Sequence, residues 1–196
     1  MSNKGLFPEI INNFHLYKGG GDQLGEMLLG IGSQLEMPSL QEMTETLTGS
    51  GVLGEVEANN PGHFSVIEMK IPYVGVCEGM FDTDSTQRTY LTIRSTQQSS
   101  VKQNGAKSYS GLKMIIGGDV KSYELGTMEM GKQTNSSVTM SITYIKIEIK
   151  YEDGTTVTAL ELDKFNEIFI KNGVDQLAKI KAFAKKRGEK HEISDK

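Results

Sequence analysis

The clearest alternation along the chain lies in SVIEMKIPYVG, where Ile67, Met69, Ile71 and Tyr73 share one side of an extended strand and Glu68 and Lys70 share the other. One side belongs to a core and the other to water. Pro72 falls inside this run, and because it has no N–H to give to a central ladder it predicts a sheet edge or a strand end. In SVTMSITYIKIEIKY, Val138, Met140, Ile142 and Tyr144 have one parity, whereas Ile145, Ile147, Ile149 and Tyr151 have the other. A period of two cannot change sides unaided, so the switch at 144/145 predicts a bulge, or one long strand serving two environments. Asp153 and Gly154 then turn the chain into a return strand, TTVTALELD. Upstream, YLTIRSTQQSSVKQ and SYSGLKMIIGGDVKSYELGTMEM read as two more strands joined by a turn at Asn104 and Gly105, with Ser, Thr, Gln and Lys on their outer faces.

Helical spacing is confined to the end. In VDQLAKIKAFAKKRG, the residues Val174, Leu177, Ile180 and Ala184, with Phe183 beside them, form an apolar stripe expected to pack on a sheet. Asn172 and Gly173 lead into it, Asp175 sits in its first turn and Gly188 ends it. Residues 74–83 suggest a short helical turn, and 189–196 a disordered polar tail. Glycine, 22 of 196 residues, exceeds its usual share of about 7% and collects at expected turns: Gly19 to Gly21, Gly117 with Gly118, and Gly154. Asn59, Asn60, Pro61 and Gly62 mark another. The expectation is a mainly β chain with a short helical segment and a C-terminal amphipathic helix, forming one domain over residues 1–188.

Residues 38–62 are different. They combine a strand-like run, in which Glu42, Thr44, Thr46 and Thr48 alternate with Met43, Glu45 and Leu47, with four glycines and almost no core. A long, weakly anchored stretch inside a compact domain is usually functional or disordered. In an assembling protein it would order against neighbours.

Charge and chemistry narrow the function. Residues 1–178 hold 14 Lys and Arg against 22 Asp and Glu, and residues 179–196 hold seven against three. An acidic body lacks the clustered cations that grip phosphates, which argues against a DNA-binding module but not against a channel through which DNA slides. The basic end suits a helix C-terminus. Gly49 to Gly54, GSGVLG, matches G-x-G-x-x-G, yet the residues after it carry acids, two asparagines and a proline and open no helix, so no dipole is available to hold a pyrophosphate. His15, His63 and His191 lack metal-ligand spacing, and Cys77 has no neighbouring cation to activate it. Neither cofactor nor catalysis is indicated. The absence of a run of roughly 20 apolar residues, and of a cleavable leader pattern at the start, gives the expectation of a soluble protein made in the cytoplasm without a membrane anchor.

Two separated segments resemble the major tail tube proteins of contractile-tailed phages. MPSLQEMTETLTGSGVLGEVEANNPGHFSVIEMKI is similar to that family's proline, acidic Thr-rich strand, glycine loop and Gly-Glu-Val-acid sequence; MSITYIKIEIKYEDGTTVTALELDKFNEIFIKNGVDQLAKI resembles its long strand, hairpin and terminal Asn-Gly-Val-Asp helix. The likeness covers roughly residues 10–187 and rests on order and spacing, not on one diagnostic motif. The glycines at 19–21 and the charged tail lie outside the pattern. The resemblance implies a β-sandwich or barrel-like fold, hexameric rings stacked into a tube, sheath, tape-measure, baseplate and tube-terminator proteins as partners, DNA as passing cargo, and a place in the virion tail after synthesis in the bacterial cytoplasm. One subunit of this size cannot close a channel wide enough for DNA, whereas strands pooled from several can, and pooling also covers sheet edges. On this reading Met43, Thr44, Leu47, Gly49, Gly51, Gly54, Glu55 and Pro61 belong to an inter-subunit loop, and Glu68, Lys70, Thr139, Ser141 and Thr143 are lumen candidates. The inner tube of a phage-tail-like bacteriocin or related injection system is an alternative, and a monomeric β-sandwich binding module is another. The lack of tryptophan weighs against the module.

Overall fold

The computed structural model describes residues 5–20, 25–83 and 86–184. The strands are β1 (Leu6–Lys18), β2 (Glu42–Leu47), β3 (Val56–Phe64), β4 (Ile67–Tyr73), β5 (Thr89–Val101), β6 (Lys107–Glu124), β7 (Ser136–Tyr151), β8 (Thr156–Asp163), β9 (Ile168–Lys171) and β10 (Val174–Asp175). A single 3₁₀ turn, Glu78–Met80, and one helix, α1 (Ala178–Ala184), complete the described elements. The fold is therefore mainly β, with the short helical turn where the sequence places it.

The main sheet runs β1-β5-β6-β7-β8-β9-β10 with every pairing antiparallel, and β4 joins it on β7. Among the described residues β1 and β10, at the two ends, do not pair with each other, so the sheet stays open. Strand β7 is its spine. β6 lies along one side of it, while β4 takes residues 136–142 of the other side and β8 takes residues 144–150. At the junction Gly117 pairs with Tyr144 and Gly118 with Ile142, leaving Thr143 as the extra residue of a bulge. That extra residue lets Ile142 and Ile145, three apart, both reach the core at 1% exposure. The parity switch in the sequence thus records both a bulge and a change of partner.

Gly117 and Gly118 are not a turn, as their pairing suggested, but lie inside β6 at this bulge. A Cβ on Gly118 would stand 2.1 Å from the Ser141 carbonyl oxygen, so the backbones meet there only because the side chain is absent. The hairpin turns at Asn104–Gly105 and Asp153–Gly154 are as expected: the Ala106 N–H donates to Asn104 Oδ1 at 3.1 Å and the Thr155 N–H to Asp153 Oδ1 at 2.8 Å.

Most buried apolar residues form one contiguous cluster, built from β4, β5, β6 and β7 with Leu16 of β1, Met80 of the 3₁₀ turn, and Leu162 and Phe169 from β8 and β9; Ile115 is buried apart from it. The stretch from residue 25 to 41 crosses this cluster and lays Leu28, Ile31, Leu35 and Leu40 against it. It is fastened at both sides, by the Leu28 N–H to the Leu16 carbonyl (2.8 Å) and by the Gly32 N–H to the Pro72 carbonyl (2.8 Å). Pro72 stands on an edge, as its missing donor requires: among the described strands β4 pairs with β7, and its other side meets only the short Ile31–Tyr73 bridge.

The C-terminal stripe departs from expectation. Asn172 and Gly173, at φ 49° and 78°, form the turn between β9 and β10 instead of leading into a helix, and Val174 is strand. The helix begins only at Ala178, after the Asp175 carboxylate accepts the Leu177 N–H at 2.8 Å. Leu177 packs on the core, whereas Ile180 and Phe183 are 50% and 93% exposed, so the stripe does not lie on the sheet. Gly188 and the polar tail lie outside the described residues.

Candidate functional site

Strands β2 and β3 pair only with each other, as a separate two-stranded sheet. The segment is thus a folded hairpin already in the single chain. Its pairing is Leu47 with Val56, Thr46 with Glu57, Glu45 with Ala58 and Thr44 with Asn59, then a large irregularity before Glu42 meets Phe64. The run Asn59 to Gly62, read from sequence as a turn, forms this irregularity within β3; Gly62 takes φ 83°. A Cβ on Gly62 would lie 2.7 Å from a Leu177 methyl, and together with the positive φ this favours glycine where the strand passes over that side chain.

The hairpin is tied down at its root alone. Phe64 meets the buried Phe169 edge-on, ring centroids 5.0 Å apart. Glu42 pairs with Lys171 at 3.1 Å, and the Lys164 ammonium donates to the Ser65 carbonyl at 2.7 Å. Burial holds the Lys164 ammonium below its ordinary pKa, as expected for a cation whose partners are carbonyls. Beyond the root the arm is exposed: Met43 (54%), Leu47 (50%), Val56 (49%) and Leu53 show their apolar surface, and Thr44, Gly49, Gly51, Gly54, Glu55 and Pro61 are exposed too. Gly51 and Gly54 turn the tip at φ 95° and 102° with no helix after them, so the G-x-G-x-x-G run has none of the geometry that binds a phosphate.

Of the five lumen candidates, the structure brings four together. Glu68 faces Ser141 and Lys70 faces Thr139 across the β4–β7 ladder, all on the side away from the core. Glu68 pairs with Lys121, and Lys70 pairs with Glu124 at 2.6 Å. The Lys70 ammonium, then the Ser137 hydroxyl, hold the Glu124 carboxyl below its usual range. Thr143 stands apart, at the bulge, its hydroxyl 3.4 Å from the Gly117 carbonyl oxygen.

Sequence reasoning missed β1, the longest open edge. Its outer backbone is covered near Leu16 and Lys18 by residues 25–28, and no described strand covers Leu6 to Phe14. Phe7 (69%), Ile10 (57%) and Ile11 (57%) are exposed along it. Two register shifts, between Pro8 and Ile10 and between Ile11 and Asn13, scramble its alternation. Only the pair Phe14 and Leu16 kept the signal. Such an edge, long and apolar, is a template for pairing with another chain. The hydrogen-bonded Asp163 is a local device: burial pushes its carboxyl up, but bonds from the Asn166 side chain, the Phe165 and Asn166 N–H groups and nearby Arg88 outweigh this and hold it low, fixing the β8–β9 turn.

No curated protein matches the chain. Among the described residues no helix is long and apolar enough to cross a membrane. The family described as Phage tail tube protein FII matches residues 8–183, almost the whole chain, including the open edge, the arm and all ten strands. The protein belongs to that phage tail tube family, a structural family whose members assemble with one another and with other components of the tail.

Proposed function

We propose that this chain is the building block of the inner tube of a contractile tail, copies of it joining as stacked hexameric rings around a lumen through which the genome is delivered. The observation that carries the reading is the combination, in a member of a tail tube family, of an uncovered apolar edge on β1 with an exposed arm rooted near β9. Each is a liability in a monomer and an asset in a polymer. The β2–β3 arm, with Met43, Thr44, Leu47, Gly49, Gly51, Gly54, Glu55 and Pro61, serves as the inter-subunit element. The face bearing Glu68, Lys70, Thr139 and Ser141 lines the lumen, with Thr143 at its border. Its lysines are already paired, Lys121 with Glu68 and Lys70 with Glu124, so it offers passing phosphates little to adhere to. Sheath protein contacts the outside, and tape-measure, baseplate and terminator proteins meet the lumen and the ends. The particle is built in the bacterial cytoplasm and works as part of the virion tail, with no catalytic step.

Electron microscopy and sedimentation of purified protein over a wide concentration range test this. Rings and tubes of uniform width are expected, and replacement of residues 48–55 by Asn-Gly should leave a folded subunit that forms neither. Monomers at every concentration for the unaltered chain overturn the proposal.

A further inference from the structure

Resting on that reading, we infer that the arm of one copy docks on the open edge of β1 in another, with β3 as the added strand and a cationic groove beside β1 as the receiver of its carboxylates.

The arm carries an unbalanced charge. Between residues 42 and 62 there are four glutamates and no lysine or arginine. Glu42 is held by Lys171; Glu45, Glu55 and Glu57 have no ion pair among the described residues. Its two faces also differ. Val56 and Ala58 of β3 lie on the side of Leu47 and Glu45, whereas Glu57 lies on the side of Thr46, with Glu55 just before the strand.

The edge of β1 offers matching surfaces. Two grooves meet it between residues 11 and 16 and share Asn13, His15, Ser95 and Leu112 in their walls. One, of about 820 Å³, is mainly apolar and includes Ile11, Leu29 and Met37. The other, of about 550 Å³, runs inward across the sheet, with His15 on β1, Arg94 on β5, Lys113 on β6 and Lys150 on β7, and Glu148 the one acid. Glu148 is engaged by Lys113 at 3.4 Å and by Lys146 at 3.3 Å, while the exposed Arg94, on the strand next to β1, has no ion pair among the described residues. The backbone of residues 6–14 has no described strand on its outer side and meets both grooves toward its Phe14 end. A strand added there sends alternate side chains to opposite faces, so β3 turns Val56 and Ala58 toward the apolar groove and Glu57 toward Arg94.

Position decides that donor and acceptor belong to different copies. The arm is rooted through Phe169 of β9, and β1 is the opposite end of the strand order. A contact between two different patches is heterologous. Repeated, it closes into a ring or runs on as a filament and does not stop at a dimer.

Charge reversal tests the pairing with a built-in cross-check. E55K/E57K has a basic arm and a basic receiving site; R94E has an acidic arm and an acidic receiving site. Each alone should lose at least tenfold in sedimentable tubes at a concentration where the unaltered chain assembles. Mixed in equal amounts they should recover most of it, because alternating copies meet opposite charge at every contact. Circular dichroism and melting of the dispersed subunits establish that both fold. If either does not, E55Q/E57Q and R94Q take their place, each expected to raise the concentration needed for assembly severalfold. Tubes from either reversed variant alone at the unaltered level, or a folded mixture that stays dispersed, overturn the docking while leaving the tube reading intact. Duplex DNA binding abolished by R94E with assembly unchanged also overturns it, by giving the groove to phosphate. Only failure of the unaltered chain to assemble counts against the tube itself.

Discussion

Strands β4 and β2 are both short and both alternate, yet Ile67, Met69, Ile71 and Tyr73 of β4 are 1–4% exposed while Met43 and Leu47 of β2 keep half their surface in water. The difference is not composition. β4 lies on the long spine of β7 with residues 25–41 crossing the core beside it, whereas β2 has only β3, itself uncovered. Two strands alone form a marginal structure, and the arm persists because aromatic and ionic contacts at its root attach it to the sheet. The contrast divides the molecule into a part stable by itself and a part whose apolar surface awaits burial.

The sharpest way to break that division is to remove comparable side chains from each part. Ile116→Ala deletes a fully buried group of β6 and should cost roughly 2–5 kcal/mol in urea denaturation of dispersed subunits. Leu47→Ala should change subunit stability by about 0.5 kcal/mol or less and weaken assembly instead. Equal losses in the two would mean that the arm is part of the core. Next in size is Gly118→Ala, whose methyl meets the Ser141 carbonyl oxygen; a cost of about 1–3 kcal/mol is expected from forcing β6 and β7 apart at the bulge. Phe64→Ala removes the edge-on contact with Phe169, worth about 0.5–1.5 kcal/mol beyond the lost area. Its signature is regional: amide exchange should accelerate through β2 and β3 and remain unchanged in β4.

The smallest effect concerns acid. Glu9 on β1 accepts from Lys107 at 2.6 Å, from Ser100 and from Gln98 at 2.7 Å, which lowers its carboxyl to about 2. Because the folded value lies below the unfolded one, this anchor is fully present above about pH 4.5 and is lost as pH falls toward 2. Amide exchange in residues 6–11 should therefore rise over that window, and Glu9→Gln should show the faster exchange already at neutral pH.

How much of this could be read from the chain follows from the same contrast. Where a strand is regular and one face is buried, as in β4 or the Asp153–Gly154 hairpin, alternation and turn chemistry identified it. The bulge in β7 was visible because parity must be conserved between bulges. β1 and β3 were hidden for the opposite reason: two register shifts in β1 and the irregularity around Asn59 to Gly62 break the period, and neither strand has a fully covered face to enforce it. The helix was overextended because Val174 and Leu177 fit helical spacing while belonging to a strand and a capped turn. The arm was singled out by its glycines and its lack of core residues, but its fixed root, Phe64 against Phe169, joins residues 105 positions apart that no local pattern connects.

The passage of β3 over Leu177 at Gly62 has a practical consequence. The arm's root and the start of the C-terminal helix meet at Gly62 and Leu177, so a pull on the helix is expected to tilt the arm. An affinity handle or fluorescent fusion appended at the C-terminus pulls on this fulcrum. Inserted at the Asn104–Gly105 hairpin it leaves the fulcrum untouched but sits beside Leu6, at the end of the β1 edge proposed to receive the arm, so neither place decorates the particle without cost.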